Sequence, residues 1–227
     1  MKKLVVANWK LNPTTAKDAV KLASSINIKA KNKVVLCPPT IYLSSISYPN
    51  VGAQDCFWKT SGAFTGQTSV SQLKDLKIKY CIVGHSERRA TGDTDQMING
   101  KIHSLLEAKI TPILCVGYGT TVLQDDLEVV DILKHQLDAG LNGVDASKVV
   151  VAYEPVWAIG TGKNASPEHA EKISIFIKAK YKVGTVLYGG SVNANNAKDF
   201  LRQQNVGGLL VGGASLKAGE FNGIINY

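Results

Sequence analysis

Three side chains of different chemistry stand where short apolar runs end: the ammonium of Lys10, the imidazole of His85 and the carboxylate of Glu154. Glu154 follows the apolar run that begins at Val149. A carboxylate at the mouth of an apolar strand is desolvated, which raises its pKa and makes it a better base near neutral pH. An ordinary structural ion pair is the competing reading. His85 closes the run from Cys81, and Ser86-Glu87-Arg88-Arg89 reads as the first turn of a helix. The positive end of that helix would disfavour imidazolium and leave a neutral ring able to donate a hydrogen bond. A core histidine satisfied by backbone is the alternative. Lys10, just past Asn8, could bind an anion and stabilise developing oxyanion charge, or could be a solvated lysine beside a helix.

Two glycine pairs add a second theme. Gly189-Gly190-Ser191 and Gly212-Gly213 both follow apolar runs. Glycine lets backbone N–H groups come close to a phosphate, and a following helix offers more of them. Either pair alone would also fit a plain turn. After Glu154, the segment 155–165 reads PVWAIGTGKNA. Its eleven residues exceed the usual βα connection. Pro155 and Trp157 stiffen the approach, Val156 and Ala158 lie between them, Ile159 supplies an apolar cover, and Gly160 and Gly162 before Lys163 permit closure. The segment is expected to be a lid that keeps water from the base.

The elements that must carry these groups are legible as a repeat. Apolar runs occur at 4–8, 34–37, 51–54, 81–85, 112–117, 149–154, 185–190 and 209–213. They are short and nearly continuous in apolarity, as parallel strands covered on both faces require. Helical spacing fills 14–25, 94–108, 123–139, 167–180 and 193–201. Ser166-Pro167-Glu168 is a helix start, with a cap, a proline at the first position and an acid for the dipole. Strand–helix alternation with a period of about 28 residues predicts one α/β domain over 1–227, a (β/α)8 barrel. The polar ends of the runs then share one rim, where barrel enzymes build their sites.

Composition narrows the classes further. The net charge is +8, yet arginine occurs only at 88, 89 and 202. Base-edge readers depend on arginine's planar fork, so sequence-specific nucleic-acid binding is not expected. Cys37, Cys56, Cys81 and Cys115 form no C-x-x-C pair and read as reduced, buried thiols. His85, His103, His135 and His169 show no metal spacing, and His103 with Glu107 reads as a surface helix pair. No dinucleotide fingerprint or P-loop is present, so neither metal nor cofactor is expected. The apolar start 4–7 is too short for a secretory h-region, and no stretch approaches a membrane span. A cytoplasmic location with no membrane partner is expected.

NWKLN at 8–12, VGHSERR at 83–89, AYEPVWAIGTGK at 152–163, YGGSV at 188–192 and LLVGGASLK at 209–217 closely resemble the triosephosphate isomerase family, in order and over nearly the whole chain. The resemblance implies a TIM barrel that interconverts dihydroxyacetone phosphate and glyceraldehyde 3-phosphate through an enediolate, in glycolysis and gluconeogenesis. It implies Glu154 as the base, His85 as the neutral electrophile and Lys10 as the charge stabiliser. Asn8 would help hold the substrate oxygen, and Glu87 would support Lys10. Main-chain N–H groups at Gly160, Ser191, Gly212 and Gly213 would grip the phosphate, and Ile159 and Leu210 would clamp the base. It also implies a homodimer, in which the loop 54–66, with Phe57, Trp58 and Phe64, carries Thr65 into the partner's site.

Some positions depart from the family pattern. Tyr118 stands where glutamate usually helps anchor the lid tryptophan. Gln67 replaces an acid that would pair with Arg88, and Gly207 stands where aspartate is common. Two other readings compete: a different phosphate-binding barrel isomerase of sugar-phosphate metabolism, and a non-catalytic barrel that binds polyanions through the +8 charge.

Overall fold

The structure, a computed structural model, describes residues 2–158 and 165–227. Strands β1 (Leu4–Asn8), β2 (Lys33–Cys37), β3 (Gly52–Ala53), β4 (Tyr80–Val83), β5 (Thr111–Val116), β6 (Val150–Tyr153), β7 (Thr185–Tyr188) and β8 (Gly208–Val211) form one parallel sheet. Its order is β2-β1-β8-β7-β6-β5-β4-β3. The predicted third run is strand at Gly52–Ala53, and Val51 before it makes a single parallel bridge to Leu36. That bridge brings β3 to β2 and makes the sheet a nearly closed (β/α)8 barrel. Helices α1 (Ala16–Ser25), α2 (Val70–Asp75), α3 (Ser86–Ala90), α4 (Asp95–Glu107), α5 (Asp126–Gly140), α6 (Pro167–Tyr181), α7 (Ala197–Arg202) and α8 (Ala218–Ile225) connect and follow the strands, with α3 and α4 both after β4 and a short 3-10 helix, Thr40–Ser45, after β2.

Local chemistry sets the helix ends. The stretch 123–139 becomes helical only at Asp126. Asp125 caps it by accepting the N–H groups of Leu127 and Glu128, while the Glu128 side chain accepts the N–H of Asp125. That reciprocal capping box starts the helix there and leaves Leu123 outside it, 92% exposed. In 193–201 the Asn193 side chain accepts the N–H groups of Asn195 and Asn196. This turn competes with helix and delays α7. At α6 the Ser166 hydroxyl accepts the N–H of His169 ahead of Pro167, as the sequence predicts.

Strand parity divides the core. Leu4, Val6, Val150 and Ala152 belong to a cluster with Val35, Ile82, Ile113, Leu187 and Leu210 that fills the barrel. Val5, Ala7, Val151 and Tyr153 join the larger cluster between strands and helices. Period-two alternation therefore carries the inward face from Leu4 through Val6 to Asn8, and from Val150 through Ala152 to Glu154. Both polar side chains end up on the inner face at the C-terminal rim.

The loop after β3 is tied down by charge. Lys101 on α4 is buried, and its ammonium lies 2.8 Å from Asp55 Oδ1 and 2.6 Å from Asp93 Oδ2. Arg88 reaches Asp55 at 2.9 Å and Asp93 at 3.2 Å. Burial pushes the Asp55 carboxyl above its usual range, against the pull of Lys101. Arg88 thus lacks an acid at 67 but finds two carboxylates elsewhere in its own chain. The expected His103–Glu107 pair is corrected: the His103 ring contacts the Asn142 carbonyl at 3.1 Å instead. All four cysteines are buried and free. Among the described residues no helix is long and apolar enough to cross a membrane.

Two stability outcomes follow from this packing. At Gly208, a Cβ would sit 1.8 Å from the Leu4 carbonyl oxygen across the β1–β8 pairing. Gly208→Ala is expected to cost at least about 2 kcal/mol and lower the calorimetric Tm by about 4 °C or more. Lys101→Met leaves two carboxylates buried without their ammonium, at an expected cost of about 3–5 kcal/mol by urea denaturation. An unchanged midpoint would mean that Arg88, not Lys101, balances those charges.

Candidate active site

At the C-terminal rim, Asn8, Lys10, His85 and Glu154 line one cavity of about 490 Å³ together with Gly189, Gly190, Ser191, Leu210, Gly212 and Gly213. Groups far apart in sequence therefore face one chamber.

Glu154 is 2% exposed. Its Oε1 lies 3.0 Å from His85 Nε2, and its Oε2 accepts the backbone N–H of Ser86 at 3.0 Å. Its own N–H donates to Val116, which keeps the chain in β register to the edge of the chamber. Gly189 explains how the side chain fits. A Cβ there would lie 3.1 Å from Glu154 Cγ.

His85 is the N-cap of α3. Its Nδ1 accepts the backbone N–H of Glu87 at 3.2 Å. That contact needs a lone pair on Nδ1, so the ring proton is assigned to Nε2, which donates to Glu154. Burial drives the His85 pKa down, but the Glu154 carboxylate and its hydrogen bond drive it up, aided by Glu87 and opposed by Lys10. The net shift is upward. The expectation that the helix end would dominate is therefore corrected, because a carboxylate at contact distance outweighs a partial charge.

Lys10 has a left-handed backbone, φ 51°, and such strain needs surrounding support. The Asn8 side chain accepts its N–H at 3.0 Å, and the Gln54 amide donates to its carbonyl at 2.8 Å. Its ammonium is 2.6 Å from Glu87 Oε1 and packs beside Gly212. Gln54 also donates to the Cys37 carbonyl. Gln54 closes the third apolar run, so the polar-end pattern marks its place, but nothing in the sequence shows that its amide braces Lys10.

The glycine pairs lie where the sequence places them, with one difference. The Ser191 N–H, expected to face a phosphate, donates to the Ala158 carbonyl at 3.1 Å, and the Ser191 hydroxyl bonds the same oxygen. The one-turn helix Val156–Ala158 brings that carbonyl over Ser191. A short helix, Gly213–Leu216, begins directly after β8, and a side chain at Gly213 would meet open space. Leu210 lies in the barrel core below the chamber. Lys217, at the end of the LLVGGASLK motif but not expected to act in the site, and Glu220, outside every motif, add charged side chains to the cavity lining.

The lid is described only at its stems. Ile159, Gly160, Gly162 and Lys163 lie outside the described residues. On one stem, Pro155 is followed by Val156, whose N–H donates to the buried Thr120 hydroxyl at 3.2 Å. Trp157 packs against the outer core. On the other stem, the Ala165 N–H donates to the Tyr188 hydroxyl at 3.0 Å. Tyr118 is 39% exposed. In the loop after β3, the rings of Phe57 and Trp58 lie 4.1 Å apart and those of Phe57 and Phe64 lie 4.6 Å apart, with Thr65 exposed next to them. Among the described residues no group of His, Cys, Asp and Glu side chains is arranged to hold a metal ion.

Comparison with known proteins gives the family. The family model for triosephosphate isomerase matches residues 3–227. A triosephosphate isomerase of Alkaliphilus metalliredigens is 40% identical, covering 100% of this chain and 99% of the relative. One from Thermoanaerobacter pseudethanolicus is 38% identical over 99% and 98%, and one from Rhodopirellula baltica 40% identical over 98% and 96%. The chain belongs to the triosephosphate isomerase family.

Proposed function

We propose that Glu154, His85 and Lys10 carry the reaction of this isomerase, the interconversion of dihydroxyacetone phosphate and D-glyceraldehyde 3-phosphate in glycolysis and gluconeogenesis. The observation that carries the assignment is the single chamber, which holds an ammonium, an imidazole and a buried carboxylate. Family membership decides against the other phosphate-barrel isomerase and the polyanion-binding barrel.

Glu154 removes a proton from the carbon beside the substrate carbonyl and returns it to the neighbouring carbon. In the free chain its two oxygens are held by His85 and Ser86, so substrate must release it from that resting place. The His85 Nε2–H then turns to the carbonyl oxygen and moves protons between the two oxygens of the enediolate. Substrate seated between His85 and Glu154 also weakens the contact that raises the His85 pKa. Lys10, held by Glu87 and with its backbone fixed by Asn8 and Gln54, balances the developing oxyanion. Asn8 holds the substrate oxygen. Gly160, Gly212, Gly213 and a Ser191 released from Ala158 bind the phosphate, and Ile159 and Leu210 enclose the base. The lid, with Pro155, Val156, Trp157 and Ala158 on one stem and Gly162 and Lys163 within it, excludes water that would promote loss of phosphate from the enediolate. The chemistry needs no metal or organic cofactor.

The same reading makes the protein a cytoplasmic homodimer. Support comes from the loop after β3, where the Phe57 ring lies in tilted contact with Trp58 and Phe64, and Phe64 stays 42% exposed. Leu11, beside the site, is 89% exposed. Apolar surface of this kind suits burial against a second copy, with Thr65 at the tip.

In a coupled assay with glyceraldehyde 3-phosphate, Glu154→Gln is expected to lower kcat by at least ~10²-fold. A near-normal rate would remove Glu154 from the mechanism. Sedimentation is expected to give twice the chain mass, and Thr65→Asp to shift the protein toward the monomer with loss of activity. A fully active monomer would overturn the dimer.

A further inference from the structure

Tyr153 and Glu154 are neighbours that face opposite ways. Glu154 enters the chamber, whereas Tyr153 points outward, 1% exposed, into the layer between barrel and helices. There the Tyr153 hydroxyl lies 3.0 Å from His169 Nε2. His169 Nδ1 lies 3.0 Å from Asp126 Oδ1, and Lys172 reaches the other oxygen of Asp126 at 3.4 Å. The donor pattern is consistent along the row. Tyr153 O–H donates to Nε2, and Nδ1–H donates to the carboxylate. Burial pushes the Tyr153 pKa well up, so the phenol remains a neutral donor.

The position of this row matters. Tyr153 ends β6 immediately before the base and the first stem of the lid. His169 sits in the first turn of α6, just past the second stem, where its own N–H is held by Ser166. Asp126 begins α5 on the neighbouring βα unit. A small cavity of about 250 Å³ between these elements is lined by Trp157, Asp126, Ala165 and His169. The site that in the family pattern holds a glutamate is here Tyr118, which is exposed.

We propose that His169 is a positioning residue for the isomerisation. An Asp126–His169–Tyr153 relay clamps the strand that delivers Glu154 to the helix that receives the far end of the lid. Asp126 on α5 supplies its carboxylate through the imidazole of His169 on α6 to the Tyr153 hydroxyl. Hydrogen bonds from Val156 to Thr120 and from Ala165 to Tyr188 hold each stem separately; the relay joins the two sides. Removing it leaves a buried hydroxyl without its acceptor and frees β6 to shift relative to α6. Gly212 and Gly213, the phosphate-gripping glycines after β8, lie apart from the relay, so the shift acts on the base more than on substrate affinity.

This proposal rests on the isomerase reading above. The test compares Tyr153→Phe, His169→Phe, the double variant and His169→Gln with the parent chain. Each is assayed for isomerisation and for inorganic phosphate released per turnover. Phosphate leaves when the enediolate's C–O bond to phosphate breaks, the electron pair departs with the phosphate, and the remaining enol rearranges to methylglyoxal. Both phenylalanine variants are expected to lose roughly three- to tenfold in kcat with KM nearly unchanged. They are also expected to release more phosphate per turnover. The double variant should lose no more than either single one, because both remove the same link. His169→Gln, which keeps an acceptor for Tyr153, should recover most of the loss. Unchanged kcat and phosphate release in Tyr153→Phe would overturn the proposal, as would additive losses in the double variant or no rescue by glutamine. A parent chain that fails to isomerise sinks the isomerase reading itself, which separates that failure from failure of the relay.

Discussion

A carboxylate almost wholly removed from water is the constraint around which the rim of this barrel is organised. Glu154 is 2% exposed, and an isolated buried carboxylate would be costly. Two donors remove that cost without neutralising it: the imidazole N–H of His85 and the backbone N–H of Ser86. Both belong to the β4–α3 junction, so one helix start serves the base twice. The same junction places Glu87, whose N–H fixes the His85 tautomer while its carboxylate holds Lys10. Base, electrophile and cation are therefore one connected set of contacts. Displacing α3 would disturb all three.

Much of this was legible in the residues, and the limits have physical causes. The strands show because parallel strands buried on both faces must be apolar throughout, so their polar ends stand out. That is why Asn8, His85 and Glu154 could be found by position alone. The short β3 was harder to see, because Val51 supplies a single bridge rather than a strand, and apolarity does not distinguish the two. The late start of α5 depends on which of several candidate residues wins the capping contest, and Asp125 wins by pairing with Glu128. The direction of the His85 shift depends on a distance to Glu154, which sequence does not contain. The bracing of Lys10 by Gln54 and of Val156 by Thr120 is equally a matter of reach between loops.

The departures from the family pattern also acquire a structural sense. Arg88, without an acid at 67, pairs with Asp55 and Asp93, which are joined to the buried Lys101. The base of the aromatic loop is thereby fixed from within one chain. Near the lid, Tyr118 faces outward while Thr120, Gln136 and His169 supply polar contacts around it. At Arg88 the charge pairing is kept and its source has moved.

The chamber owes its volume to atoms that are missing. At Gly189 a methyl group would press on Glu154, at Gly212 it would meet Lys10, and at Gly190 it would collide with the Tyr188 hydroxyl. At Gly189 and Gly190 room made by omission cannot be adjusted in small steps, because the smallest available substitution already presses on Glu154 or strikes the Tyr188 hydroxyl. Change at those two points is thereby confined, whereas positions on the outer scaffolding such as 67 and 118 carry other residues without touching the reaction vessel.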